Sequence, residues 1–222
     1  MLRLILNELK EHAPFTAIGA VTGIVIMVII VFTHIPTSIS EVAFYTLHPL
    51  HVLLSALVTT AMYRRYSRGK LWAAILIGYF GSVGICTLSD AVIPYLEGTS
   101  LSIAISFHLP FMETETMPYL GVAEWVVINA AAVIGIAIGY WKQTTKFPHT
   151  GHVLLSTWAS LFYFTAFGTA SWLPLLPIIF VFLFLAVWIP CCMSDIVFPL
   201  LFIRRVATGE DMAYTKHHHG GE

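Results

Sequence analysis

The stretch His48-Pro-Leu-His-Val-Leu-Leu-Ser55 decides the fold, because it returns 101 residues later as His149-Thr-Gly-His-Val-Leu-Leu-Ser156. A second stretch, Cys86-Thr-Leu-Ser-Asp-Ala-Val-Ile-Pro94, returns 105 residues later as Cys191-Cys-Met-Ser-Asp-Ile-Val-Phe-Pro199. The two matches come in the same order at nearly one offset, and they preserve His, Cys, Asp and Pro as well as common apolar residues. Self-similarity at a fixed offset indicates a duplicated structural unit. We therefore expect two copies of one unit.

The composition indicates that both copies lie in a membrane. Hydrophobic residues make up 58% of the 222 residues, charged residues make up 10%, and the mean hydropathy is +0.82. A soluble domain of this size needs more charge to cover its surface. Apolar runs of roughly 20 residues have the length that a bilayer core requires of a helix. The predicted spans are Phe15–His34, Ala43–Tyr63, Leu71–Tyr95, Pro118–Trp141, His149–Gly168 and Leu173–Ile203.

The distribution of Lys and Arg predicts the topology. These residues occur before the first span, after the second, after the fourth and after the sixth, whereas connections 35–42, 96–117 and 169–172 contain none. Because cytoplasmic loops carry the excess of Lys and Arg, both ends are predicted to be cytoplasmic. Each copy has three spans, so the second copy enters the membrane from the opposite side. We predict an all-α integral membrane protein with six transmembrane helices in a 3+3 inverted-topology repeat, as in many secondary transporters.

The repeat and the charge pattern divide the chain into five segments. The first repeat covers residues 15–95 and the second covers residues 118–203. The remaining segments are a cytoplasmic N-terminal segment (1–14), an acidic outer loop (96–117) and a cytoplasmic tail with histidines (204–222). The tail contains the run His217-His-His219, which predicts either a metal-gathering end or residues that are not native to the protein.

The repeated polar residues form a candidate metal-ligand set in each copy. His48 and His51 are three residues apart, and residues 86 and 90 are four apart, so each pair shares one helix face. Two imidazoles, a thiol and a carboxylate suit a Zn, Fe or Cu ion. The predicted metal ligands are His48, His51, Cys86, Asp90, His149, His152, Cys191 and Asp195. The predicted hydroxyl donors that orient these ligands are Ser55, Ser89, Ser156 and Ser194.

The depth of these residues predicts two separate half-sites. A rise of 1.5 Å per residue from the predicted span ends places the first set in the outer half of the bilayer and the second in the inner half. A pseudo-twofold axis in the membrane plane would relate them. The structural alternative is that buried His and Asp side chains hydrogen-bond to each other and hold the bundle together, with the cysteines packed as small apolar residues.

Glu124 is a further charge inside a predicted span. The first span matches the fourth weakly at an offset of 102, which places Thr22 at the corresponding position in the first copy. A residue without a counterpart is what a coupling or proton-carrying group would look like, since intramembrane charges are expensive and usually functional. The alternative, slightly favoured by the sequence, is a position close enough to the outer interface for Glu124 to be hydrated.

These patterns favour a transporter or channel for a transition-metal cation, with the lipid bilayer and the cation as its partners. A second hypothesis is a metalloprotein that keeps its ion in the membrane, such as a metallochaperone, a hydrolase or an accessory subunit of a redox complex. A b-type haem protein is a third. Phosphate-binding and hydrolase motifs are missing, so a non-enzymatic role is favoured, and a net charge of −1 argues against nucleic acid. Homo-oligomers and larger membrane complexes stay open.

Overall fold

The computed structural model describes residues 2–67, 70–114, 116–117, 119–142, 146–169 and 173–202, and for some of them only the backbone. Of the described residues, 83% are helical. The helices form six rods in chain order, numbered here from one to six. Rods one and two are the single helices α1 (Leu2–Thr33) and α2 (Thr37–Tyr66). Rods four and five are α6 (Glu124–Trp141) and α7 (Lys146–Phe167).

The third and sixth rods are interrupted by π-helical segments. The third rod contains, in order, α3 (Leu71–Tyr79), a π segment (Phe80–Gly84), α4 (Ile85–Thr87), a π segment (Leu88–Val92) and α5 (Ile93–Ser100). The sixth rod contains a short 3₁₀ turn (Leu173–Leu175), α8 (Leu176–Cys192), a π segment (Met193–Val197) and α9 (Phe198–Leu201). Pro94 and Pro199 follow two of these segments, and each removes the N–H that an α-helix would supply to the carbonyl four residues earlier.

Several rods have the length and composition to cross a membrane. Four helical stretches among the described residues meet this criterion: Ala13–Thr33, Thr37–Arg65, Leu71–Ser100 and Glu124–Trp141. Leu176–Cys191 is a shorter apolar helix. On α1, the side chains of Ile18, Val21, Val25 and Ile29 recur every three or four residues and are each about half exposed. Such an exposed apolar stripe is compatible with a multi-pass membrane protein.

The second rod lies at the centre of the bundle. It packs most extensively against α7 and α6, while α1 packs against α7 and α8. The connection after α5 folds back over one end of the bundle, where β1 (Ala104–Ile105) pairs antiparallel with β2 (Gly168–Thr169). The helical part of the third rod extends to Ser100, five residues beyond the predicted span, so the acidic connection begins later than the sequence indicated.

Small residues allow the closest approach of helices in this bundle. A Cβ atom added to Gly135 or Gly139 of α6 would meet the backbone carbonyl oxygen of Leu53 or Leu57 in α2. A Cβ on Gly19 of α1 would lie 2.9 Å from the hydroxyl oxygen of Thr157 in α7. Glycines four residues apart are a common interface in membrane helices, because they let backbones touch.

These glycine contacts correct the weak alignment between the first and fourth spans. Gly19 lies against Leu154 and Thr157, and Gly135 lies against Leu53 and Ala56. Leu53 and Ala56 are the counterparts of Leu154 and Thr157 at the offset of 101. The glycines with matching contacts are therefore 116 residues apart, not 102. The offset of 102 would pair Gly19, which lies inside α1, with Gly121, which lies in the loop before α6.

Candidate metal centre

The imidazole of His51 is the centre of a fully buried polar cluster. The Nδ1 atom of His51 lies 2.7 Å from Asp90 Oδ2 and donates to it. The Nε2 atom lies 3.5 Å from the sulfur of Cys86 and 3.9 Å from the sulfur of Cys191. A carboxylate therefore holds one ring nitrogen of His51, while the other ring nitrogen is directed at two thiols. The cluster draws on both predicted repeats.

His152 completes the group from the fifth rod. Its ring stacks on that of His51, with the centroids 5.6 Å apart and the planes at 2°. His51, His152 and Cys191 each have a potential ligand atom, and these three atoms lie within 4.8 Å of one another. The same holds for His48, His51 and Asp90. These buried groupings could hold a metal ion.

The distances between nitrogen and sulfur fit a tetrahedral ion. Zinc bonds of about 2.0–2.1 Å to imidazole nitrogen and about 2.3 Å to thiolate sulfur place N and S ligands about 3.6 Å apart. The separations from His51 Nε2 to the Cys86 and Cys191 sulfurs, 3.5 and 3.9 Å, bracket this value. The cluster thus needs little rearrangement at these atoms to bind such an ion. The described side chains of the cluster are each 2% exposed or less.

Asp90 orients the histidines. Its Oδ2 atom accepts from Nδ1 of both His48, at 2.9 Å, and His51, at 2.7 Å. Its Oδ1 atom accepts from the hydroxyls of Ser89, at 2.7 Å, and Ser156, at 2.8 Å. A carboxylate that holds Nδ1–H of a histidine leaves the Nε2 lone pair free for a metal and raises its basicity. In this arrangement Asp90 is better placed to position His51 than to bind the ion itself.

The expected separation into two half-sites is wrong, because His51 and His152, which belong to different predicted repeats, are in contact. The cause lies in α2, which begins at Thr37 instead of the predicted Ala43. At 1.5 Å per residue, His51 lies about 21 Å from the start of a helix about 45 Å long, close to its middle. Packing of α2 against α7 then brings the two histidines together.

Two of the predicted ligands cannot be assigned to this cluster. The backbone of His149 belongs to α7 and that of Asp195 to the last π segment, but both side chains lie outside the described residues. Their proposed role as ligands stays a prediction. His48 contacts Asp90, and its ring stacks on Phe44 with centroids 5.5 Å apart. The Nε2 atom of His48 has no hydrogen-bond partner among the described residues.

The four predicted hydroxyl donors are buried and hydrogen-bonded in two crossed pairs. Ser156 Oγ lies 3.3 Å from Ser89 Oγ, and Ser55 Oγ lies 3.0 Å from Ser194 Oγ. Each pair therefore joins one predicted repeat to the other, and only the pair with Ser89 also reaches Asp90 among the described contacts.

Two further hydroxyls support these serine pairs. Thr59 donates to the carbonyl of Ser194 at 3.3 Å, and Ser160 donates to the carbonyl of Ser89 at 3.0 Å. Sequence reasoning missed both residues. They are 101 residues apart, so extending the repeat comparison by one helical turn would have found them.

No family model, curated protein or solved structure matches this chain. The ligand types, their spacing and their burial are therefore what the functional interpretation depends on.

Glu124 lies apart from the cluster, at the first position of α6. It is 1% exposed, so the expectation that it is hydrated is wrong. The reason is the connection that folds back over this end of the bundle, which brings His108 Nε2 to 3.4 Å from Glu124 Oε2. A local sequence pattern does not contain this long-range contact.

Proposed function

We propose that this protein is a membrane carrier for a transition-metal cation and that the cluster around His51 is its exchangeable binding site. The observation that carries the proposal is the position of His51 Nε2 between Cys86 and Cys191, thiols from different repeats. Thiol and imidazole ligands favour soft or borderline ions such as Zn²⁺ and Cu⁺ over Mg²⁺ or Ca²⁺. Zn²⁺ is the first cargo to test, because two sulfurs and two nitrogens form a common tetrahedral zinc set.

Each residue has a distinct task in the proposed site. His51, Cys86 and Cys191 bind the cation with His152, and Asp90 holds His51 in the tautomer that presents Nε2. Burial excludes water, so exchange requires that the helices part on one side. Because the ligands come from four different rods, a relative movement of the two repeats separates them.

Paired contacts support an inverted repeat as the framework of the carrier. The predicted repeat relates the two serine pairs to each other. Ser156 is the counterpart of Ser55 at the offset of 101, and Ser89 is the counterpart of Ser194 at the offset of 105, so the pair Ser55–Ser194 corresponds to the pair Ser156–Ser89. The π segments Leu88–Val92 and Met193–Val197 lie 105 residues apart. His51 stacks on its own counterpart, as residues beside a twofold axis do. Sites at a repeat interface, next to irregular helices, are typical of secondary transporters.

The haem alternative is disfavoured by the same stacking. Two histidines that bind one iron from opposite sides direct their nitrogens at each other, whereas His51 and His152 place their ring faces 5.6 Å apart. A porphyrin does not fit between such rings. A permanently bound ion requires the same ligands as a carrier, and only a flux measurement distinguishes these two functions.

The test is uptake of radioactive Zn²⁺ by proteoliposomes. We expect His51→Ala to lower the initial rate about tenfold or more, because it removes the ligand that joins both thiols. The matched control is His34→Ala, which changes an exposed histidine at the end of α1. Size-exclusion profiles verify folding, and the milder Cys191→Ser variant should show the same direction. Normal uptake by His51→Ala would refute the carrier, and tight zinc without flux in the wild type would indicate a permanent site.

A further inference from the structure

A chain of three ionisable side chains leads from the surface into the bundle at the end covered by the loop after α5. Glu113 Oε1 lies 3.6 Å from His108 Nδ1, and His108 Nε2 lies 3.4 Å from Glu124 Oε2. The exposed fraction falls along this chain from 29% for the Glu113 side chain to 13% for His108 and 2% for Glu124. We call these three residues the acid–histidine chain.

The imidazole in the middle of the chain is firmly held. The Tyr45 hydroxyl lies 3.1 Å from His108 Nε2, and the His108 ring stacks on Phe167 with centroids 4.7 Å apart. The backbone N–H of His108 donates to the Tyr163 hydroxyl at 3.0 Å, and this hydroxyl donates to Ser106 O at 2.9 Å. The loop is therefore fixed in the position that brings its histidine to Glu124.

The geometry of the acid–histidine chain suits protons better than metal ions. A metal ion binds one nitrogen of an imidazole, but here the two carboxylates lie on opposite nitrogens of the same ring. An imidazole can accept a proton at one nitrogen and release another proton from the second nitrogen, which is the basis of its use as a proton shuttle. The arrangement thus connects the two carboxylates through the ring.

Glu124 is the group that such a shuttle would serve. The 3.4 Å contact is too long for a strong hydrogen bond, and no other described side chain donates to the Glu124 carboxylate. An ionised carboxylate in this environment is expensive unless it is paired. The other titratable groups around the acid–histidine chain are Tyr45, His48, Tyr95 and Tyr163.

We propose that the acid–histidine chain is the proton path of the carrier and that Glu124 is its coupling residue, an inference that rests on the proposed transport function. When side-chain motion shortens the 3.4 Å gap, a proton on Glu124 Oε2 passes to His108 Nε2. The proton on His108 Nδ1 passes to Glu113 once the 3.6 Å gap shortens in the same way, and from there to solvent. The ring returns to its first tautomer before the next transfer. No covalent bond other than these N–H and O–H bonds changes, and metal and proton move in opposite directions.

The test is zinc accumulation driven by a pH gradient in proteoliposomes, with the membrane potential clamped at zero. A carrier that exchanges one proton per cation builds about a tenfold zinc gradient for one pH unit. We expect Glu124→Gln to lose this accumulation, because the amide cannot carry the proton, while bound zinc per chain stays at the wild-type value. The matched control is Glu41→Gln in α2, which should accumulate zinc like the wild type.

The outcomes separate this inference from the proposed function. Wild-type accumulation by Glu124→Gln overturns the proton path while leaving the metal carrier intact. Loss of bound zinc in Glu124→Gln also overturns it, because Glu124 would then act on the metal centre. If the wild type moves no zinc at all, both the carrier and its proton path are refuted.

Discussion

At the scale of single residues, the hydrogen bonds of Asp90 account for the orientation of the histidines in the candidate metal centre. A buried carboxylate is costly unless donors surround it, and this one has two imidazole donors on Oδ2 and two serine hydroxyls on Oδ1. The donors come from α2, from α7 and from the π segment of Asp90 itself. The carboxylate therefore holds three rods together and sets the tautomer of His51.

Asp90→Asn tests this positioning role. The amide keeps the shape of the side chain but cannot accept from two imidazoles and two hydroxyls at once, so His51 loses its fixed tautomer. We expect zinc affinity to fall about 10–100-fold, as measured by competition with a chromophoric chelator. Glu41→Gln makes the same chemical change at a partly exposed position and should bind zinc normally. Unchanged affinity in Asp90→Asn would show that the carboxylate does not act through the ligands.

At the scale of helices, the approach of α6 to α2 depends on residues without a side chain. Gly139→Ala would place a Cβ against the carbonyl of Leu57, whereas Gly84→Ala meets no atom within 4 Å. We expect Gly139→Ala to destabilise the folded protein by about 1–3 kcal/mol through overpacking. Gly84→Ala should be neutral or slightly stabilising, since alanine favours helix. Thermal unfolding in detergent measures both, and equal melting temperatures for the two variants would contradict the packing.

The same helix contacts change the interpretation of Glu124. The offset of 116 between Gly19 and Gly135 pairs Glu124 with Glu8 of α1, not with Thr22. In the predicted repeat, an acidic residue would then stand at corresponding positions of both copies. The absence of a counterpart, the second reason given for a special role of Glu124, depended on the offset of 102. The contact with His108 replaces it as the reason to assign Glu124 a coupling role.

At the scale of the whole molecule, the residues of the candidate site were predictable, but their arrangement was not. His51, Cys86 and Asp90 could be found because the same residue types return at a nearly fixed offset in the sequence. Their convergence with His152 depends on where α2 begins and on how it packs against α7, and neither is encoded in a local pattern. The pairing of His108 with Glu124 likewise depends on a loop that folds back over the bundle.

X-ray absorption of zinc-loaded protein tests the central claim, a single metal site shared by both repeats, most directly. The sample should carry alanines in place of His217–His219, so that the tail does not bind zinc. We predict one zinc per chain, with about two sulfur ligands at about 2.3 Å and nitrogen ligands at about 2.0–2.1 Å. Two zinc ions per chain with one sulfur each, or one zinc with only nitrogen and oxygen ligands, would contradict the shared site.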